Sequence, residues 1–387
     1  MTNQSSQPFA SPASMRNLRG RLATRLAFLV AGFAVSSWAP LIPFAKQRLG
    51  ADDGLMGLLL LCLGAGSVTA MLKTGPMCAR HGCKPVVVVA GLALALVLPF
   101  LALASTAWTL GVVLFVFGGV LGSLDVSMNV HAVEVEREAD VPLMSGFHAL
   151  FSVGGMVGAA LVTFLLSAAL TPFLCTLLCA AAMIAMMLMA WPRFIETPRS
   201  LSTQSLAVPH GAVLLLAGLA GVCFLVEGAV LDWSALLLTT ESLSVPARAG
   251  LGYAFFSVAM TAGRFGGDAV TARLGDRATM FWGGIAAVLG FVVLLCAGRL
   301  EFALAGFVLI GLGASNIVPV LFRRSGAIPG TSAAMAVSAM TTVGYAGQLL
   351  GPAVVGFISH WTNLPTAFWV LAALVVLVPV SAARVTR

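Results

Sequence analysis

The sequence predicts an all-α integral membrane protein of twelve transmembrane helices in two pseudo-symmetric six-helix bundles. Three observations predict it. Between Arg324 and Arg384 the chain runs without an Asp, Glu, Lys or Arg, whereas about 20 apolar residues rising 1.5 Å each suffice to cross a bilayer core of about 30 Å. The composition is 59% hydrophobic and 9% charged with a mean hydropathy of +1.02, far from the roughly 25% charged residues of soluble domains. Finally, Ala79-Arg80-His81-Gly82 returns as Ala272-Arg273-Leu274-Gly275, Trp38 as Trp233, and Ser152-Val153-Gly154 as Thr342-Val343-Gly344, all at nearly the same offset. A near-constant offset marks an internal duplication.

The spans are predicted at 22–44, 54–72, 85–103, 108–131, 143–168, 172–191, 209–238, 248–270, 279–297, 302–321, 331–357 and 363–383. The first follows Arg16, Arg19 and Arg21 but is too long for a signal peptide and is read as retained. The last two are separated by the polar turn Ser359, His360, Thr362, Asn363 and Pro365. Residues 1–20 are expected to form a disordered cytoplasmic tail, 21–192 the first bundle, 193–208 a cytoplasmic linker and 209–387 the second bundle.

A net charge of +7 could serve nucleic acid, but its placement fits a membrane orientation instead. With the N-terminus in the cytoplasm, Lys46, Arg48, Arg248 and Arg299 alone fall outside, Arg264 lies within a span, and every other Lys and Arg is cytoplasmic. A multi-pass protein of the bacterial inner membrane with both termini cytoplasmic is expected, with no nucleic-acid partner. The seven cysteines form no CxxC or Cys-His pattern, so neither a disulfide framework nor a metal site is indicated and no cofactor is expected. No GxxxxGK loop is present, which excludes ATP as the driving force, and no HExxH or GxSxG supports an enzyme.

Function is sought in the ionisable groups left inside hydrocarbon, because each costs at least about 2.5 kcal/mol at a helix centre and faces a cavity or a partner. Asp125, Glu227 and, nearer the outer edge, Asp232 qualify. Gly118, Gly122, Asp125 and Asn129 share one helical stripe, read as a cavity wall; the alternative is close helix packing by the glycines with Asp125 bonded to a neighbour. Glu227 and Asp232 are five residues apart, about 140° around a regular helix, and share a face only if the helix breaks. Gly228 and the length of this seventh span leave room for such a break. Glu227 is the first candidate for a proton carrier, since apolar surroundings favour the neutral form of a carboxyl. For solute contact, Trp38 and Trp233 offer aromatic faces, and Asn129, Asn316, Tyr345 and Gln348 offer hydrogen bonds; the tryptophans alternatively anchor the membrane interface. His148 is expected to bond Asp125 or Glu134.

Six plus six helices, parallel halves and a basic A-R-x-G loop after the second and eighth spans resemble the major facilitator superfamily. Gly122-Ser123-Leu124-Asp125-Val126-Ser127-Met128-Asn129, Met144-Ser145-Gly146-Phe147-His148 and Phe151-Ser152-Val153-Gly154 resemble its fucose-permease-like branch. Glu227-Gly228 with Asp232-Trp233 resembles bacterial inner-membrane members of poorly defined substrate. The resemblance implies the major facilitator fold and proton-coupled symport of a small polar, sugar-like solute or other metabolite by alternating access, with Asp125 in the acidic position of the fourth span and a monomer as the working unit. A drug or metabolite exporter running by antiport is the alternative within the class, and a non-transporting sensor lies outside it. The family's loop normally carries an Asp where this chain has Ala79 and Ala272. Asp268, four residues after Arg264, is therefore expected to form a relocated cytoplasmic gate with Arg264, Arg80 and Arg273, or else a local ion pair with Arg264.

Overall fold

The computed structural model describes residues 12–51, 53–197, 211–244, 251–329 and 331–386, and among these every regular element is helical. The first bundle contains α1 (Pro12–Trp38), the short α2 (Ile42–Leu49), α3 (Asp53–His81), α4 (Cys83–Leu103), α5 (Ala107–Ala139), α6 (Met144–Ser167) and α7 (Pro172–Ala190). The second contains α8 (Ala212–Thr240), α9 (Leu251–Leu295), α10 (Leu300–Ala314), α11 (Ile317–Ser325), α12 (Ala333–Trp361), α13 (Leu364–Val375) and α14 (Leu377–Val385).

Eleven of these stretches, some joining adjacent helices, are long and apolar enough to cross a membrane. One of them, α9, is two helices joined at Gly275, whose φ of 78° and ψ of 163° are not helical. Counting it as two gives the twelve expected spans. Both ends of the described chain then lie on one side, called here the terminal face. Helix α1 starts at Pro12, so residues 12–20, expected in the tail, lie on the first helix; residues 1–11 fall outside the described residues. The first span is interrupted after Trp38 by a turn of 3₁₀ helix, where Pro40 and Pro43 lack the N–H that a continuous helix needs.

Packing repeats between the bundles. Helix α1 packs on α6 as α8 does on α12, and α3 on α5 as α9 does on α10. The close approaches repeat residue by residue: an added methyl would meet the Leu63 carbonyl oxygen at 1.9 Å from Gly118 and the Phe256 carbonyl oxygen at 2.4 Å from Gly311. Gly82, with φ 84° and ψ 157°, adopts the conformation of Gly275, so the duplicated loop places glycine where a side chain would be strained.

The chain leaves α7 through residues 191–197, which dock on the terminal face of the first bundle. Phe194 and Ile195 are buried there. The Ile195 amide donates to His131 Nε2 at 3.1 Å, the Cys83 amide donates to Thr197 Oγ1 at 2.7 Å, and Glu196 pairs with Lys84 at 3.2 Å. The start of the expected linker is thus held down, and residues 198–208 lie outside the described residues. The bundles meet through α3 against α12, α6 against α9 and α5 against α12.

Candidate functional site

Arg264 is the charge at the centre of the bundle interface. It sits on the first half of α9, facing α8 and α6, and is 8% exposed. Nη1 donates to Ser152 Oγ of the first bundle at 2.8 Å, and Nη2 lies 3.7 Å from Glu227 Oε2 on α8. The second separation is an ionic contact rather than a hydrogen bond. Nε finds no partner. A guanidinium this deep requires a counter-charge, because an unpaired buried ion loses its hydration without compensation; Glu227, with 30% of its side chain accessible, supplies it.

Helix α8 is continuous from Ala212 to Thr240, so the break that Gly228 left room for does not occur. Gly228 is there for packing: a methyl on it would lie 2.9 Å from the Gln348 carbonyl oxygen of α12. Glu227 and Asp232 therefore point in different directions, and Asp232 is exposed. The break falls in the tenth span instead, at Ser315 and Asn316 between α10 and α11. Pro319 accounts for it, lacking an N–H and crowding the carbonyl four residues earlier, that of Ser315. Asn316 fills the gap, donating Nδ2 to the Gly263 carbonyl at 3.2 Å and to Ser315 Oγ at 2.9 Å, with Oδ1 unpartnered.

The fourth-span stripe divides into two parts. Gly118 and Gly122 press against the α3 backbone at Leu63 and Ser67, which corrects the cavity-wall reading for both glycines. Below them Asn129 donates Nδ2 to the Asp125 carbonyl at 2.9 Å and lies 3.4 Å from Asp125 Oδ1, leaving its own Oδ1 unpartnered. Tyr345 on α12 lies within electrostatic reach of both Asp125 of the first bundle and Glu227 of the second. Gln348 sits one turn beyond it, and Trp233 packs near Gly356 of α12. Trp38 is 3% exposed with Nε1 unpartnered, a core residue rather than an interfacial anchor. His148 bonds neither Asp125 nor Glu134. Its ring is wedged between Phe28 of its own bundle and Phe322 of the other, at 5.1 and 5.4 Å between centroids, while Glu134 pairs with Arg137.

Toward the terminal face, the expected Arg264–Asp268 pair is replaced by a helix cap that crosses between the bundles. Asp268 Oδ1 accepts the Ser145 amide at 3.0 Å and Oδ2 the Gly146 amide at 2.8 Å, at the start of α6. The preceding amides, Leu143 and Met144, donate to Glu136 Oε2 at 2.6 and 2.7 Å. Two carboxylates thus satisfy four amides that a helix start leaves open, where the helix dipole favours negative charge. Arg323 of α11 binds both Glu136 Oε1 and Asp276 Oδ1, the latter at 2.5 Å, and Arg324 lies 3.9 Å from Asp276 Oδ2. Ser338 Oγ also crosses, donating to the Met71 carbonyl at 2.6 Å. Arg80 and Arg273 are exposed and form no ion pair with another described residue. Glu136, Asp276 and Arg323 were not foreseen; in the sequence they are indistinguishable from other charges flanking spans.

Residues 25–244 match the family profile described as Major Facilitator Superfamily. The chain is 43% identical over 368 residues to an uncharacterized MFS-type transporter of Yersinia pestis, covering 95% of this chain and 96% of that one. It is 30% identical over 359 residues to an uncharacterized transporter of Sinorhizobium fredii, covering 92% and 95%. Among solved structures it is similar to the MFS transporter FucP in its outward conformation, with a TM-score of 0.78 at 17% identity over 95% of this chain and 98% of that one.

Proposed function

The chain belongs to the Major Facilitator Superfamily, and on that premise we propose that it moves a small polar solute across the bacterial inner membrane by proton-coupled symport, as a monomer, with Glu227 and Asp125 as proton carriers. The observation that carries this reading is Arg264 held between Glu227 of its own bundle and Ser152 of the other. A proton on Glu227 removes the charge that holds Arg264, and Arg264 is one of the ties between the bundles. Loading a proton at Glu227 therefore acts on the interface that alternating access must open. The neighbour FucP is described as a fucose:proton symporter, which supports the same class of coupling.

The surplus of Lys and Arg on the terminal face supports placing that face in the cytoplasm. Asp268, with Glu136, Arg323 and Asp276, then serves as the inner gate, closed here, with Arg80 and Arg273 at its rim. Solute contacts are assigned to Asn129, Asn316, Tyr345, Gln348 and Trp233, a reading supported by the unpartnered Oδ1 of Asn129 and of Asn316. Trp38 and His148 support this layer from the core, and Asp232 lies on the route from outside.

The test is thermal stabilisation of the purified protein across sugars, polyols, nucleobases and organic acids at two pH values, in wild type and Glu227→Gln, since any bound solute stabilises by mass action. A solute whose stabilisation depends on pH in wild type and not in the variant is the expected result. Unchanged pH dependence in the variant would remove Glu227 from the coupling.

A further inference from the structure

We propose that the transported solute is an anion, held through a carboxylate by the Nε and Nη2 edge of Arg264. The inference rests on the proton-symport reading and names the solute class for the same site. The guanidinium has used only one of its ends. Nη1 is bonded to Ser152, whereas Nε has no partner and Nη2 has only an ionic contact at 3.7 Å with Glu227. Nε and Nη2 carry parallel N–H groups, the edge of the fork that takes a carboxylate side-on with two bonds. Nε is buried as well as unpartnered, and Glu227 lies 3.7 Å from the Nη2 end of that edge as the counter-ion an entering carboxylate would displace.

The charge balance leads to the same solute. The titratable groups near Arg264 and Glu227 are Cys223, Glu227 and Asp232 on α8, His148 on α6, Tyr253 and Asp268 on α9, and Tyr345 on α12, which also interacts with Asp125. Asp268 is committed to the amides of α6, and Asp125 forms no ion pair with Arg264. Once Glu227 carries a proton, Arg264 is left as an uncompensated cation in an apolar layer. A neutral solute leaves it so, whereas an anion replaces the lost charge and enters with one proton as an electroneutral pair. A carboxylate thereby binds better to the protonated carrier, the condition for tight coupling.

The test uses acetate as the minimal carboxylate and acetamide as its neutral isostere, titrated into purified full-length protein at constant ionic strength, with melting temperature as the readout. In Glu227→Gln, acetate is expected to stabilise at both acidic and neutral pH, acetamide is not, and Glu227→Gln/Arg264→Gln weakens the acetate effect by about 30-fold or more. Wild type is expected to respond to acetate at acidic pH only, which serves as the same comparison should the variants fold poorly. Acetate acting no better than acetamide in both proteins, or equally well without Arg264, overturns the anion site. Acetate acting through Arg264 but equally at both pH values in wild type upholds the anion site and overturns the proton reading at Glu227.

Discussion

Replacing Asp268 with Asn isolates the cap that joins the bundles, because the side chain keeps its shape and loses its charge. In the closed state two amides, Ser145 and Gly146, donate to the two carboxylate oxygens at 3.0 and 2.8 Å. Hydrogen bonds to a charged acceptor contribute about 1.5–3 kcal/mol each. Asparagine retains one acceptor and turns an NH2 group toward the other amide, so one bond is lost and the other becomes neutral. The attraction between the carboxylate and the start of α6 is lost as well, another 0.3–1 kcal/mol or so. Since Asp268 is only partly buried, the lower part of this range applies, about 2 kcal/mol taken from the closed state alone. At tenfold per 1.4 kcal/mol, the ratio of closed to open inner gate falls by about 30-fold. Spin labels at exposed positions 80 and 273, one in each duplicated loop, read this ratio from their distance distribution in a background without native cysteines. Identical populations in wild type and Asp268→Asn would refute the assignment of this cap to the gate.

Arg323→Gln leaves Glu136 without its cation and Asp276 with the more distant Arg324 alone; it is expected to open the same end by about 3 kcal/mol at most, with Arg323→Lys intermediate in the same distance measurement. Gly118→Ala drives a methyl to within 1.9 Å of the Leu63 carbonyl oxygen, so the unfolding free energy should fall by about 1–3 kcal/mol. Gly218→Ala, where the added methyl meets open space, should leave the melting temperature unchanged or slightly raised. Asp125→Asn should reduce the proton uptake coupled to solute binding and Glu227→Gln should abolish it, measured as the pH change on mixing in weak buffer.

The spans were legible because hydrophobicity along a chain is local: a run of apolar residues declares a crossing wherever the bundle later places it. The duplication was legible too, and the structure gives it a cause in the paired approaches of Gly118 to Leu63 and Gly311 to Phe256. Ion pairs across the interface were not legible. Glu136 and Arg323 are 187 residues apart, and nothing near either one in sequence names the other. Gly228 was misread because a glycine beside an acid fits a broken helix and a close helix crossing equally well; only the approach of Gln348 decides between them. The true break carried a usable sign in Pro319, whose effect falls four residues upstream at Ser315. Asp268 was read as a partner of Arg264, whereas it accepts from backbone amides at a helix start, which leave no mark in a sequence.

The duplication extends to packing and stops at charge. Gly118 and Gly311 occupy equivalent places, but the positions equivalent to Arg264 and Asp268 in the first bundle are Met71 and Gly75. Beside the contacts of Arg323 with Glu136 and of Ser338 with Met71, two side chains of the second bundle close on α6: Arg264 on Ser152, Asp268 on Ser145 and Gly146. Arg264 and Asp268 lie one turn apart on α9, and Ser152 lies about two turns from the start of α6, so the two contacts form one seam between a pair of rigid helices. Rigid helices cannot release one end of such a seam while keeping the other in register. A change at Glu227, whose ionic partner among the described residues is Arg264, is therefore felt at the cap by Asp268 through the turn of α9 between them; on the proposed proton reading, this is the mechanical route from a proton on Glu227 to the gate.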